Sequence, residues 1–477
     1  MLPDNMLLEI FDVYRKDHEY ANRGVLGKEV WRWHLLVRVC RRWRQIIFES
    51  PRRLNLRIFC TINTPVEKNL AIWPAFPIVI EYRYAGRSIK PGEEGNVIAA
   101  LRHSDRVCSI VLQVRGPRLG KVATVMEVPF PVLTSLHIIT SNESRGGNVP
   151  VLTGGFLGGS APCLQEIYFS GVPFPAFPIL LSSTKDLVTL HLLNIPPTGY
   201  ISPEAMVVGL AALPRLKVFV IEFQLATPHP NQIRTAPPVT RTVLPTLTNF
   251  RFKGASEYLE DLISQIDSPQ LDDICIGYLN QLVDFEVGQL SKFIDRSIGP
   301  KLTPPFRQVD VTFCRKYIYI AYGHTNESPW KLGPASVTTF IYCTEVDWQV
   351  SHMAQVLSHF SMTNSAVVHL NLKGGNEDFH SRGMDHVEWQ PFLRQFSTVK
   401  TLHVSQELAE HVALALENIT EEMVTEVLPS LDWIHVVSQP ASSIKKFIAA
   451  RLLSGRPVTV VDSEWEFEQI LESYAST

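Results

Sequence analysis

A short hydrophobic phrase, apolar-x-x-apolar-x-apolar, recurs along most of the chain. Its twelve copies follow one another roughly every 29 residues. Each copy is too short for a helix and ends in alternating apolar residues, which is the pattern of a strand with one buried face. The copies are VCSIVL at Val107, LTSLHI at Leu133, LQEIYF at Leu164, LVTLHL at Leu187, LKVFVI at Leu216, LTNFRF at Leu247, LDDICI at Leu271, FRQVDV at Phe306, VTTFIY at Val337, VVHLNL at Val367, VKTLHV at Val399 and LDWIHV at Leu431.

The segments between these strands often have helical periodicity, as in SPEAMVVGLAAL, SEYLEDLISQI, VGQLSKFIDRSI, VDWQVSHMAQVLSHF and ITEEMVTEVL. Strand and helix alternating at one period predict an α/β fold of stacked β–α units with a parallel sheet. The alternative is the parallel sheet of a compact α/β enzyme. Twelve units exceed what one open doubly wound sheet normally holds, so the stacked array is favoured.

The phrase resembles the L-x-x-L-x-L of leucine-rich repeats, with the spacing of their long, helix-bearing class. It departs from them eight residues after the first position, where such repeats usually place Asn or Cys. Ser141, Val172 and Gln224 stand there, for example, and only the Phe306 copy complies, with Cys314. The resemblance therefore implies an irregular leucine-rich-repeat-like solenoid over residues 95–440.

The first 57 residues have a different pattern, that of short amphipathic helices. Asp4 is placed to cap a first helix, whose apolar face holds Leu7, Leu8, Phe11 and Tyr14. A polar insert follows over residues 15–27, with its tip at 22–24. A second helix is predicted over residues 28–50, with an apolar stripe of Leu35, Leu36, Val39, Trp43 and Ile46 or Ile47 and with Arg38, Arg41, Arg42 and Arg44 beside it.

Such short helices bury too little surface to be stable alone, so they need the rest of the chain or a partner. Their amino-acid sequence resembles an F-box, with LP at Leu2, LLEIF at Leu7, VCRRWR at Val39 and II at Ile46. The insert between the two halves departs from that family. The resemblance implies docking to the adaptor subunit of SCF-type cullin–RING ubiquitin ligases through Leu2, Pro3, Leu7, Leu8, Ile10, Phe11, Leu36, Val39 and Trp43.

Two alternatives stand beside that resemblance. The apolar residues could be the ordinary core of a helical cap, or the arginines could read DNA. The formal net charge of −3 argues against a broad nucleic-acid or anionic-membrane surface. The seven cysteines are dispersed and form no CxxC pair, which is typical of reduced thiols. With no secretory leader or long apolar run, a cytoplasmic or nuclear protein is expected.

The remaining segments are predicted to flank the array. Residues 58–94 have the weakest pattern and are predicted to form a linker or first irregular unit. Residues 441–477 read as helix, strand and acidic helix, a cap for the open end of the array.

No catalytic motif is found in the sequence, so no enzyme activity, cofactor or metal is predicted. His380, Asp385 and His386 lie in a Gly-containing loop at a spacing that fits no metal site, and a solvated loop is favoured.

One constellation is predicted to bind a target. In a strand of the form L-x-x-L-x-L the intervening residues point away from the core. The first such position holds His137, Tyr168, His191, Val220, Arg251, Cys275, Asp310, Ile341, Asn371, His403 and His435, and the second holds Glu222, Lys253 and Lys373. The predicted target contacts are His137, Tyr168, His191, Arg251, Lys253, Asp310, Asn371, Lys373, His403 and His435; the alternative is a solvated sheet face.

The expected function is therefore that of a substrate receptor in an SCF-type ubiquitin ligase, with an unknown protein target and no nucleic-acid or membrane partner. A repeat scaffold without a ligase role is the alternative, and an α/β enzyme with a helical cap is a more distant one.

Overall fold

The structure is a computed structural model that describes residues 2–21, 33–61, 66–82, 91–141, 149–224, 240–279, 288–298, 306–323, 336–343, 346–360, 364–375, 388–417, 419, 426–436 and 442–462. The chain divides into two compact units. The first unit comprises Met1–Ile201 and Val208–Leu216, and the second comprises Ser202–Val207 and Lys217–Thr477.

The first unit begins with three helices, α1 (Asp4–Ala21), α2 (Trp33–Leu36) and α3 (Arg41–Glu49). The single second helix predicted from the sequence is wrong, because the backbone is extended at Cys40 and α3 starts anew there. The Cys40 thiol caps α3 by accepting a hydrogen bond from the Trp43 amide at 3.4 Å. The predicted polar insert is helical as far as Ala21, and its tip at 22–24 lies outside the described residues.

The sheet of the first unit is parallel and follows the order of the chain, so each strand pairs with the next. Its strands are β1 (Ile58–Thr61), β2 (Ile78–Tyr82), β3 (Val107–Arg115), β4 (Ser135–Ser141), β5 (Glu166–Ser170) and β6 (Thr189–Ile195). Its further helices are α4 (Val66–Ile72), α5 (Pro91–Leu101), α6 (Gly116–Val125) and α7 (Phe177–Leu181), with 3₁₀ turns at Phe156–Gly159 and Pro197–Gly199. An uninterrupted chain order is the topology of stacked repeats and differs from that of a doubly wound sheet, which reverses at a switch point.

The segment 58–94, the weakest in pattern, carries β1, α4, β2 and the start of α5. Its two strands pair with each other and with β3, so regular β–α units begin here.

The second unit continues the alternation of strands and helices. Its strands are β7 (Val218–Phe223), β8 (Thr242–Val243), β9 (Asn249–Gly254), β10 (Ile266–Asp267), β11 (Asp273–Leu279), β12 (Gln308–Cys314), β13 (Tyr317–Gly323), β14 (Ser336–Tyr342), β15 (His369–Gly374), β16 (Thr401–Val404), β17 (Trp433–Val436) and β18 (Thr459–Asp462). Its helices are α9 (Ser256–Ser264), α10 (Gly288–Ser297), α11 (Val346–Ser358), α12 (Trp389–Leu393), α13 (Gln406–Glu417) and α14 (Ser442–Leu453), and α8 (Pro203–Leu210) has residues in both units.

The strand order in this unit is β7-β9-β11-β14-β13-β12-β15-β16-β17-β18, with β8 and β10 paired separately. The reversed stretch, which we call the antiparallel insertion (β12–β14), contradicts the prediction of successive parallel units at Phe306 and Val337. The additional strand β13 runs antiparallel to both of its neighbours, and this places β14 beside β11 and β12 beside β15.

The repeat phrase builds the core of both units, as predicted. In the copy at Leu133, for example, Leu133 before β4 and Leu136 and Ile138 within it are all fully buried. The copy at Val337 is the exception. There Ile341 is buried and Phe340 points to the opposite face, so the predicted outward position of Ile341 is wrong.

The cause of that error lies in the phrase VTTFIY itself, whose apolar residues occupy both alternating sets. Such a strand can be read in either register, and only its packing decides between them. The α/β fold of stacked units is nevertheless confirmed. The predicted helix in ITEEMVTEVL and the final acidic helix lie wholly or mainly outside the described residues.

Candidate binding surfaces

The first candidate surface lies on α1, which has two apolar faces. Leu7, Leu8 and Phe11 are buried inside the helical module, where the Phe11 and Trp43 rings meet edge to face at 4.8 Å. Leu7 and Phe11 are four residues apart and lie beside Leu8, so a single face of the helix packs inward. This buried face anchors α1 against α3.

The second apolar face of α1 is exposed. Met6, Ile10 and Val13 are four and three residues apart, which is helical spacing, and Leu2 lies four residues before Met6. The exposed fraction is 47% for Leu2, 49% for Met6, 47% for Ile10 and 55% for Val13. Such a stripe, three residues of α1 and the residue Leu2 before it, differs from the single exposed apolar residues that are normal on protein surfaces.

Polar contacts fix α1 to the following segments. The Arg42 guanidinium donates to the Asp4 carboxylate and to the Leu2 carbonyl, both at 2.6 Å. Arg53 forms an ion pair with Glu9. Exposed ion pairs contribute little to stability, but here they set the orientation of the first helix.

The residues predicted to contact the adaptor fall into three groups in the free chain. Leu2, Pro3, Ile10 and Val39 are exposed, Leu36 and Trp43 are half-buried, and Leu7, Leu8 and Phe11 are buried. Their docking role stays a prediction. The predicted adaptor contacts omitted Met6, Val13 and Leu35, which are exposed; the four-residue spacing from Leu2 to Met6 and Ile10, and the three-residue step to Val13, were the signal that could have found the first two.

The second candidate surface is the outward face of the sheet, and the first unit shows it at His137, Tyr168 and His191. These residues are register partners on adjacent strands. The centroid of the Tyr168 ring lies 5.5 Å from that of His137 and 5.5 Å from that of His191. The His137 Nε2 atom lies 3.1 Å from a Glu166 carboxylate oxygen. This imidazole lowers the pKa of Glu166, against the opposing effect of burial.

In the second unit the first predicted row is also continuous. Arg251 pairs in register with Cys275, and at the other end Asp310, Asn371, His403 and His435 follow one another on adjacent strands. Thr338 and Ala321, which the sequence interpretation did not place in the row, lie between Cys275 and Asp310. Arg251 is exposed and interacts with the Cys275 thiol, whose pKa is raised chiefly by burial.

Asp310, Asn371 and Lys373 form an internal network. One carboxylate oxygen of Asp310 accepts from Asn371 at 2.8 Å and from Lys373 at 3.1 Å, and the other accepts from Gln308 at 2.9 Å. Asp310 and Asn371 are only 8% and 1% exposed. Contact of a target with these two residues stays a prediction, and it would require their side chains to be uncovered.

His403 and His435 stack face to face, with ring centroids 4.3 Å apart. Burial and, to a smaller extent, the neighbouring His435, His369 and Lys373 lower the pKa of His403 to about 4. His403 is therefore neutral at physiological pH. Two parallel rings do not converge on a common point, and the part of the chain described holds no cluster of metal-ligating side chains.

A group of rings that the sequence interpretation missed lies beside this row. We call it the aromatic cluster: Tyr317, Tyr319, Phe340 and Tyr342, all half-buried on the outward face of the antiparallel insertion. The alternation in YIYIAYG was the signal that could have revealed the Tyr317 and Tyr319 positions. The loop of His380, Asp385 and His386 lies outside the described residues.

The chain was compared with family models, with curated proteins and with solved structures. No family model matches the chain, and no curated protein matches it. One similar solved structure is the leucine-rich repeat-containing protein LegL7 from Legionella pneumophila, with a TM-score of 0.26, 15% identity, and coverage of 63% of this chain and 84% of that chain.

A second similar solved structure is that of TLR13 in a complex with ssRNA13, with a TM-score of 0.25, 13% identity, and coverage of 78% of this chain and 44% of that one. This chain thus spans less than half of the TLR13 chain. Such low scores carry no argument, so the description of the chain as stacked β–α units rests on its own strand order and on the buried positions of its repeat.

Among the helices that the structure describes, none combines the length and the apolar character needed to cross a membrane.

Proposed function

We propose that this chain is the substrate-receptor subunit of an SCF-type ubiquitin ligase, in which the N-terminal helices dock to the adaptor and the repeats hold a protein target. The observation that carries the proposal is an exposed apolar stripe, Met6, Ile10 and Val13 on α1 with Leu2 just before the helix, while the opposite face of α1 is already buried. The resemblance of the amino-acid sequence of this segment to an F-box also supports the proposal.

The energy available from this stripe is sufficient for a docking site. Full burial of one aliphatic side chain contributes ~1.5–3 kcal/mol. Each residue of the stripe is about half exposed, so covering all four yields ~3–6 kcal/mol before the costs of association. Val39, at 59% exposed, adds to the apolar surface of the module.

The proposed mechanism requires no catalytic residue in this chain. The helices bind the adaptor while the repeats bind the target, and the target lysines are thereby kept near the ligase-bound conjugating enzyme. The rate enhancement comes from effective concentration. A repeat scaffold without a ligase role is the second candidate, and the outward rows of both sheets support it independently of the first helices.

Pull-down of the full chain with the recombinant adaptor tests the proposal. The double variant Ile10→Asp, Val39→Asp should reduce adaptor binding at least tenfold, because both side chains are exposed and two buried charges would oppose docking. Ile179→Asp is the matched control, since Ile179 is 62% exposed on α7, outside the helical module. Failure of the wild-type chain to bind the adaptor, or equal binding by all three proteins, would leave the scaffold as the better explanation.

A further inference from the structure

The antiparallel insertion creates a second row of outward side chains on the sheet of the second unit. The strand register aligns Lys253, Gly277, Phe340, Tyr319, Thr312 and Lys373 across six adjacent strands. Reading across the strands, the row has a lysine at each end and aromatic rings in the middle.

The middle of the row is the aromatic cluster. Tyr319 and Phe340 have ring centroids 5.0 Å apart, and Tyr317 lies 5.8 Å from Phe340 and 5.7 Å from Tyr342. The rings pack on one another and remain half-buried in the free chain. Rigid, partly exposed tyrosine and phenylalanine side chains are the kind of residue that dominates binding energy in protein interfaces.

Lys253 is held at one edge of the cluster. Its Nζ atom lies over the Tyr342 ring, 4.5 Å from the centroid. Gly277 leaves the room for this arrangement, because a Cβ atom there would lie 3.3 Å from Lys253 Cγ and 3.4 Å from Tyr342 Cε2. Arg251, on the same strand as Lys253, is exposed and adds a second cation.

The opposite end carries Lys373, whose Nζ atom is 3.1 Å from the buried Asp310 carboxylate. Two neutral amides, of Gln308 and Asn371, also donate to Asp310, and the Asp310 and Lys373 charges partly offset each other, so this end of the row is less positive than the Lys253 end. Glu222, the register partner of Lys253 on β7, lies outside this row. The interval from Lys253 to Lys373 is thus bounded by cations and contains no acidic residue in the row itself.

The length of that interval indicates the size of a ligand. The row crosses five strand-to-strand steps, about 24 Å at ~4.8 Å each. An extended peptide spans this distance with about seven residues at ~3.3 Å per residue.

We propose that this surface binds an extended peptide segment of a target protein, with acidic residues at its ends and aromatic, proline or aliphatic residues at its centre. The proposal rests on the target-binding part of the proposed function and not on docking to the adaptor. A nucleic acid could also stack on aromatic rings, but the formal net charge of −3 and the few cations of the row favour a peptide.

An array of random nine-residue peptides, probed with the full chain, tests the proposal. Enrichment of Asp and Glu at the peptide ends and of aromatic, proline or aliphatic residues at the centre is the expected result. Lys253→Glu should weaken binding of the selected acidic peptides about tenfold in fluorescence anisotropy and shift array selection towards Lys and Arg at one end. Phe340→Thr should remove the preference at the centre.

Lys292→Glu is the matched control, with the same charge change at an exposed position of α10. This helix packs on the core side of the sheet, where the ring centroids of Phe293 and Phe250 are 6.2 Å apart. No enrichment, enrichment that Lys253→Glu and Phe340→Thr leave unchanged, or tighter binding of a twelve-nucleotide oligouridylate than of the acidic peptides would overturn the proposal. Adaptor pull-down of the same variants distinguishes peptide binding by this surface from docking to the adaptor, since these substitutions should leave adaptor binding unchanged.

Discussion

A single buried carboxylate, that of Glu260 on α9, connects two consecutive helices of the second unit. It is 6% exposed and accepts hydrogen bonds from the backbone amides of Gln289 at 2.6 Å and Leu290 at 2.9 Å. Both amides belong to the first turn of α10, where a helix has no internal partner for its N–H groups. Glu260 therefore caps the next helix from a neighbouring repeat, and its negative charge also suits the helix N-terminus.

The Glu260→Ala substitution should lower the free energy of unfolding of the second unit by about 2–4 kcal/mol. Each hydrogen bond to a charged group contributes about 1.5–3 kcal/mol, and the two amides would lose a partner within the protein. Removing the carboxylate also relieves the cost of burying its charge, so the net effect is smaller than the sum. Glu260→Gln retains one acceptor oxygen and should lose about half as much.

Urea unfolding, combined with hydrogen exchange of the amides in residues 288–298, measures this effect. Exchange locates the change at α10, which matters because two units need not unfold together. Glu204→Ala is the matched control: Glu204 is an exposed carboxylate in the first turn of α8 and should cost no more than about 0.5 kcal/mol. The capping argument is refuted if Glu260→Ala has the urea midpoint of this control and unchanged exchange in α10.

Two other substitutions test the sheet face and the helical module. The pKa of His403 lies at about 4 in the folded chain, below its ordinary value of 6.5, so protonation of this group in the unfolded chain opposes folding below pH 6.5 and has no effect above it. This loss of stability grows to at most about 3 kcal/mol as the pH falls from 6.5 towards 4. His403→Gln should therefore reduce the difference in urea midpoint between pH 7.5 and pH 5, and an unchanged difference would contradict the assignment. Phe11→Ala removes a ring that is 1% exposed and should destabilise the helical module by about 3–5 kcal/mol. Faster hydrogen exchange in residues 4–14 would show this, whereas wild-type exchange would mean that the Phe11–Trp43 contact is not needed there.

The repeat phrase was sufficient to predict the strands because it encodes which face each strand buries. All twelve copies contribute to strands, and the apolar positions of a copy such as Leu133, Leu136 and Ile138 form the core. Periodicity is a local property, so it could also predict the helices that follow β9 and β14. The outward positions of His137, Tyr168 and His191 followed from the same alternation.

Pairing between strands is not local, and here the sequence was insufficient. The phrases at Phe306 and Val337 look like successive repeats, yet β13 separates them and reverses their order in the sheet. This reversal brings Lys253 and Lys373 to the two sides of the aromatic cluster although 120 residues separate them in the chain. No periodicity in the sequence records which strand edge another strand will meet.

The amino-acid sequence by itself determined the alternation of strands and helices, the composition of the core and the apolar face of Leu7, Leu8 and Phe11 on α1. Each follows from the spacing of apolar side chains along one segment, since that spacing fixes what the segment must bury. The tertiary structure decided which apolar face remained uncovered, placing Leu7 inside and Ile10 outside. It also decided which polar residues meet, because Asp310, Asn371 and Lys373 become partners only when β12 and β15 pair.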